Sequence, residues 1–229
     1  MNKHYVIIGG SSGIGFKTAE LLQLQGHQIS IFSRNNTIPT GTNHFTLNVL
    51  DETIDVPFDQ PVDGLIYCPG SINLKPFSSL KLKDFEQDYA INVLGGVKTI
   101  KAFLPLLKKS ASASIVLFST VAVQTGLPYH TSISAAKGAV EGLTRSLAAE
   151  FAPKIRVNCI APSLVETPLA GRLLSNERQQ ESAKERHPLK AFGQPEDIAE
   201  MAAFLISEKA KWTTGQIFHI DGGLSSLKV

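Results

Sequence analysis

The sequence predicts a doubly wound α/β fold, a parallel sheet with helices on both faces, built as three layers in one domain over residues 1–229. Three observations carry this expectation. Short apolar runs without polar alternation recur along the chain, as strands covered on both faces require. Stretches of helical periodicity separate them. The first apolar run ends in a glycine cluster that leads straight into the first helix.

Tyr5 to Ile8 reads as the first strand and Ile14 to Gln25 as the first helix, stopped by Gly26, a residue suited to a left-handed helix cap. Ile29 to Phe32 is the second strand. Further buried strands are expected at Gly64 to Cys68, Ser114 to Phe118, Ile155 to Ile160 and Gln216 to Ile220. Helices are expected at Leu82 to Lys108, Ser134 to Phe151 and Pro195 to Ile206. Arg34 to Asp63 is rich in Asn, Thr, Pro and Asp, with room for a short strand at His44 to Leu47 and little room for full helices. Leu164 to Phe192 reads as helical and strongly charged. Two readings apply to it: a solvated helix face, and a flap over a substrate cleft.

Composition narrows the function. The chain has 229 residues, 43% hydrophobic and 18% charged, with a net charge of +2. Its basic residues are dispersed, so neither nucleic acid nor an acidic membrane surface is implied. No uninterrupted apolar run approaches the roughly 20 residues a membrane span needs. The N-terminal apolar run is too short for a signal-peptide core. Cys68 and Cys159 stand far apart in apolar runs and read as reduced core residues of a cytoplasmic protein, with no disulfide and no metal site.

Gly9-Gly10-Ser11-Ser12-Gly13-Ile14-Gly15 lies between the first strand and the first helix. A tight turn there needs positive φ, and a pyrophosphate can approach only where no Cβ intrudes. The helix N-terminus then offers unpaired N–H groups and the positive end of its dipole. The segment predicts dinucleotide binding. The second strand ends in Ser33-Arg34, where an acid would hold the adenosine ribose hydroxyls. A small neutral residue followed by arginine suits a 2′-phosphate instead, so NADP(H) is expected over NAD(H).

These features, with others along nearly the whole chain, resemble the short-chain dehydrogenase/reductase family. Ile8-Gly9-Gly10-Ser11-Ser12-Gly13-Ile14-Gly15 looks like the family's opening Thr-Gly-x-x-x-Gly-Ile-Gly with the threonine lost. Asn48-Val49 stands where Asp-Val usually meets the adenine, and Tyr67-Cys68-Pro69-Gly70 where Asn-Asn-Ala-Gly usually closes the fourth strand. Asn92 matches the helix asparagine of the family's active site. Arg156 to Pro168 looks like the segment that meets the nicotinamide, with Ser163 in place of glycine. Thr214-Gly215-Gln216 to Asp221-Gly222-Gly223 resembles the last strand and turn. The resemblance implies a Rossmann-type fold and a cofactor site at Gly9, Ser11, Ser12, Gly13, Ile14, Gly15, Ser33, Arg34, Asn48, Val49, Cys68, Pro69, Gly70, Lys137, Pro162, Ser163, Val165 and Thr167.

The family's catalytic pair is Tyr-x-x-x-Lys, two residues sharing one helix face. Here the segment reads Ile133-Ser134-Ala135-Ala136-Lys137, so the lysine is kept and the tyrosine is isoleucine. The catalytic serine of the family falls on Thr120, beside Ser119. An unperturbed Tyr has a pKa near ~10, lowered by a neighbouring lysine cation. Isoleucine has no proton to give. General acid catalysis is worth about 10²–10⁴-fold, so its loss slows hydride transfer without abolishing it. Tyr129, His130, and water held by Lys137 and Asn92 are the candidate substitutes. Asn92, Thr120, Lys137 and Tyr129 are therefore the expected catalytic residues, and Lys137 also has a cofactor role, since the family's lysine holds the nicotinamide ribose.

Three functions follow: an NADP(H)-dependent oxidoreductase acting on a small carbonyl or alcohol with an atypical proton donor, a catalytically impaired NADP(H)-binding regulatory or scaffold protein, or an enzyme whose chemistry needs no phenol, such as reduction of a substrate that takes its proton from solvent. The resemblance also implies a homodimer or homotetramer, which small residues of the Ser134 to Phe151 helix would permit.

Overall fold

The computed structural model describes residues 2–228. Seven parallel strands form one sheet in the order β3-β2-β1-β4-β5-β6-β7. They are β1 (His4–Ile8), β2 (Gln28–Ser33), β3 (Asn43–Thr46), β4 (Gly64–Tyr67), β5 (Ala113–Phe118), β6 (Ile155–Pro162) and β7 (Ile217–Ile220). Strand order reverses between β1 and β4, so a crevice opens above their C-terminal ends, where ligands of doubly wound sheets bind.

The strands divide their side chains between two cores. Val6, Ile8, Leu65, Ile115 and Val157 face α3 (Gly95–Leu107) and α5 (Thr131–Phe151), with Phe103, Leu107 and Val140. Tyr5, Ile7, Ile31, Ile66 and Val116 face α1 (Gly13–Leu24) and α7 (Pro195–Ile206), with Leu22, Ala202 and Leu205. Both faces are covered, so β1 and β4 are almost wholly apolar, while Arg156 and Asn158 of β6 are buried and donate to the backbone carbonyls Leu205 O and Thr213 O. Burying each such Ile or Leu contributes about 1.5–3 kcal/mol.

Three differences from the sequence expectation matter for the site. The helix expected at Leu82 to Lys108 is α2 (Leu82–Tyr89) and α3 joined by a π turn over Ala90–Leu94. Inserting a residue into the ladder frees carbonyls, and two side chains take them: Tyr67 Oη donates to Ile91 O at 2.5 Å and Asn92 Nδ2 to Asp88 O at 2.8 Å. Within the helical run Leu82–Leu107, one 18-residue window is apolar enough by composition to cross a membrane, with a mean hydropathy of 1.4. Half of that window is buried, as befits a core helix, and charged residues interrupt it, in keeping with the absence of a continuous apolar run.

Secondly, α5 begins at Thr131, three residues before the expected Ser134, which places Ile133 inside its first turn. Thirdly, the short strand of the irregular region is Asn43–Thr46, shifted by one residue, and no helix forms between residues 34 and 63. Ile54, Val56 and Phe58 cover the core there instead, with Phe58 6.2 Å from Phe103 between ring centroids.

Candidate active site

The crevice holds two contiguous compartments, of about 270 Å³ and 840 Å³, which share Ile14, Cys68, Gly70, Thr167 and Leu169. The smaller lies over β1, β2 and the start of α1. The larger lies between the ends of β4, β5 and β6 and α6 (Glu177–Arg186).

The small compartment is shaped by backbone. Gly9 and Gly13 have φ of +78° and +54°, which side-chain-bearing residues rarely adopt. A Cβ on Gly15 would stand 2.4 Å from Gly9 O, so only glycine allows α1 to start this close to β1. No side chain caps α1 at Ser12 and no acid lies in its first turn, leaving its N-terminal N–H groups for an anion. Ser11, Ser12, Gly13, Asn48, Val49, Pro69 and Pro168 line the walls. Ser33 is turned inward: its hydroxyl donates to Asn35 O at 2.7 Å and bonds His44 Nε2 at 3.0 Å. Arg34, exposed and without an ion pair among the described residues, is the cation left facing this compartment. Asn48 closes its own turn, accepting from Leu50 N at 3.3 Å and donating to Asp51 Oδ1 at 3.2 Å. A glycine cradle, an uncapped helix start and a free arginine fit a dinucleotide's phosphates.

The large compartment is shaped by side chains. Lys137, on α5, is buried and donates from Nζ to Phe118 O at 2.8 Å. Burial lowers its pKa to about 8, with Asp88 among the groups opposing the shift. Asn92, from the π turn, donates to Ser71 Oγ at 2.9 Å, and Ser71 to Asp88 Oδ1 at 2.6 Å. Its Oδ1 is buried and unpartnered among the described residues. Lys137 Nζ and Asn92 Oδ1 converge on Gly70, where a Cβ would meet them at 3.7 and 3.4 Å. Lys137 lines the larger compartment, whereas Asn92 Oδ1 stays buried behind Gly70, which lines both.

Ile133 lies one turn before Lys137 on the same face, 5% exposed and lining the cleft. Of the two neighbouring hydroxyls, Ser119 Oγ is committed to Glu141 Oε1 at 2.8 Å. Thr120 Oγ1 only accepts a long 3.4 Å contact from Ala122 N, so its proton is free to point into the cleft it lines. Tyr129 is not brought to the site. It is 58% exposed, has φ of +68°, and does not line the compartment, whereas His130 does. Burial pushes the Cys68 thiol up to about 12, which keeps it protonated at neutral pH.

Residues 164–192 fold as a 3-10 turn, Pro168–Leu173, followed by α6. Arg178, Ser182 and Arg186 lie on one face of α6 and line the cleft, while Glu181 and Glu185 pair outward with Lys184 and Lys190 at 3.5 and 3.1 Å. No aspartate or glutamate lines the large compartment among the described residues. Sequence reasoning missed His187, buried at the end of α6 and bonded through Nε2 to Ser163 Oγ at 2.8 Å. The signal was Ser163 itself, a departure from glycine whose partner stands 24 residues on.

Residues 9–225 match the family model described as enoyl-(acyl carrier protein) reductase. The 3-oxoacyl-[acyl-carrier-protein] reductase FabG of Thermotoga maritima is 31% identical over 238 residues, 96% of each chain. A Xanthobacter autotrophicus protein named inactive 2-(S)-hydroxypropyl-CoM dehydrogenase 2 is 37% identical over 172 residues, 73% of this chain and 75% of the relative. Among solved structures, ElxO with NADP bound superposes with a TM-score of 0.88 at 28% identity, covering 99% of this chain and 100% of that one.

Proposed function

The chain belongs to the short-chain dehydrogenase/reductase family, and from that premise we propose that it is an NADP(H)-dependent oxidoreductase that reduces a small carbonyl compound, or oxidises the alcohol, with a proton donor other than the family's tyrosine. The observation that carries the reading is the convergence of Lys137 Nζ and Asn92 Oδ1 on Gly70. Buried polar groups are costly, and here Lys137 lines the larger compartment while Asn92 Oδ1 stands directly behind Gly70, a residue common to both compartments.

When bound, the nicotinamide supplies or accepts the hydride. The residues of the chain bind and orient. Gly9, Gly13, Gly15 and the start of α1 hold the pyrophosphate. Arg34 pairs with the 2′-phosphate. Lys137 donates to the ribose hydroxyls on the nicotinamide side. Thr120 donates a hydrogen bond to the carbonyl oxygen and holds charge as it develops there. Ile133 leaves an apolar surface where a phenol would stand. Leucines and isoleucines of the lining receive the body of the substrate, and Arg178 and Arg186 suit an acidic group at its end.

The test is NADPH oxidation by the purified protein against small aldehydes and ketones, half of them carrying a carboxylate. Turnover with NADPH above NADH, and lower KM for the acidic compounds, is expected. A relative named as inactive makes this assay decisive: a protein that binds NADPH and reduces none of the panel would overturn the reading.

A further inference from the structure

We propose that Ser163 and His187 form the proton-delivery pair of this cleft, taking the place of the missing phenol; the inference rests on the oxidoreductase reading above. The two departures line one compartment. Ile133 removes the ordinary donor, and Ser163 puts a hydroxyl on the opposite strand end, at a position the family fills with glycine. Val121 N donates to Pro162 O at 3.0 Å and Ser119 N to Ile160 O at 2.7 Å, so the turn that carries Thr120 runs alongside the end of β6 that leads into Ser163. Both line the same 840 Å³ compartment as Lys137, Ile133 and His187.

The histidine is oriented as a proton-handling group. Its Nδ1 lies 2.7 Å from Ala183 O, and a carbonyl only accepts, so Nδ1 carries a proton. In the neutral ring Nε2 then accepts from Ser163 Oγ at 2.8 Å. The ring is 3% exposed and packs against Gly222, where a Cβ would stand 3.4 Å from its Cδ2. Its place is therefore fixed from two sides, and its reactive edge reaches the cleft through the serine.

The chemistry balances in either direction. In reduction, the carbonyl carbon gains hydride from NADPH and the C=O π bond becomes a C–O single bond. Ser163 Oγ–H gives its proton to that oxygen and takes one from protonated His187 Nε2. The ring is left neutral, with Nδ1–H still on Ala183 O, and is reprotonated from solvent. In oxidation the neutral ring draws the serine proton as Ser163 takes the alcohol's. Ser163 is the catalytic residue of the pair, and His187 acts through it.

The test compares Ser163→Gly and His187→Ala with wild type, reading NADPH affinity by fluorescence and then turnover. Ser163→Gly restores the family's residue and guards against a folding failure in His187→Ala. The expected result is unchanged NADPH affinity, an unchanged KM, a kcat lower by about 10²–10⁴-fold, and partial rescue of His187→Ala by added imidazole. Nitrogen NMR at alkaline pH should find the His187 proton on Nδ1. Variants that turn over like an active wild type overturn this pair and leave the oxidoreductase reading standing. So does a ring protonated on Nε2 alone. A wild type that binds NADPH without turning over any carbonyl overturns both.

Discussion

The nucleotide half of the cleft is made of backbone, and the substrate half is made of side chains. In the first, function depends on where a Cβ cannot be: Gly15 has no room for one beside Gly9 O, and Gly9 and Gly13 occupy the left-handed region. In the second it depends on which polar atoms reach the cleft, namely those of Lys137, Thr120, Ser163 and His187. Backbone shape has few substitutes, so the glycine pattern persists. A proton donor can be replaced by any group with the right reach, so Tyr can become Ile if another hydroxyl arrives. The contrast teaches that the loss of one named residue is weak ground for calling such a cleft inactive.

The largest expected effect tests whether the donors are interchangeable. In a Ser163→Gly background, Ile133→Tyr should recover turnover by about 10²–10⁴-fold; in wild type the same change should gain less than about ten-fold. Ile133 already lines the cavity, so the phenol has space to project. Equal gains in both backgrounds would break the comparison.

Next in size is Lys137, where burial lowers the pKa to about 8 from the ordinary 10.5. Above pH 10.5 the amine is neutral folded or unfolded, and its charge costs nothing. As pH falls from 10.5 to 8 the unfolded chain binds the proton first, so stability is lost across that window, by roughly 3 kcal/mol in all. Denaturant unfolding at pH 8 and pH 10.5 should show this slope in wild type and lose it in Lys137→Met. A shared slope would place the amine in water.

Gly15→Ala should weaken NADPH binding by about 100-fold, or ~2.7 kcal/mol, measured by fluorescence titration, because its Cβ meets a backbone oxygen. Arg34→Ala should weaken NADPH by about ten-fold or more and leave NADH little changed, since a charge-assisted hydrogen bond contributes roughly 1.5–3 kcal/mol. The smallest effect is Tyr129→Phe, for which kcat should stay within about two-fold, because an exposed phenol outside the cleft donates nothing to it.

The same division governs what could be read from the chain. The strands were legible because a doubly covered sheet leaves runs such as Tyr5 to Ile8 wholly apolar, while in Ile155 to Ile160 the apolar residues alternate with Arg156 and Asn158, which are buried as well. The nucleotide cradle was legible because glycines mark forbidden Cβ positions. The π turn was not, since Ala90–Leu94 carries ordinary helical residues and the insertion answers to Tyr67 and Asn92 packing beneath it. The start of α5 was placed late because Thr131 and Ser132 break the apolar period that Ile133 resumes. His187 was invisible because its role exists only when the chain returns to place it on Ser163, and a histidine after a charged helix looks like part of the solvated face.

The most direct test of the account is a single turnover. Protein loaded with one equivalent of NADPH should show enhanced cofactor fluorescence, and addition of a small acidic ketone should make it decay at a rate set by the protein. Wild type should decay, Ser163→Gly should hold its signal at least about a hundred times longer, and both should bind NADPH equally. Bound fluorescence that persists in wild type whatever carbonyl is added would contradict the account.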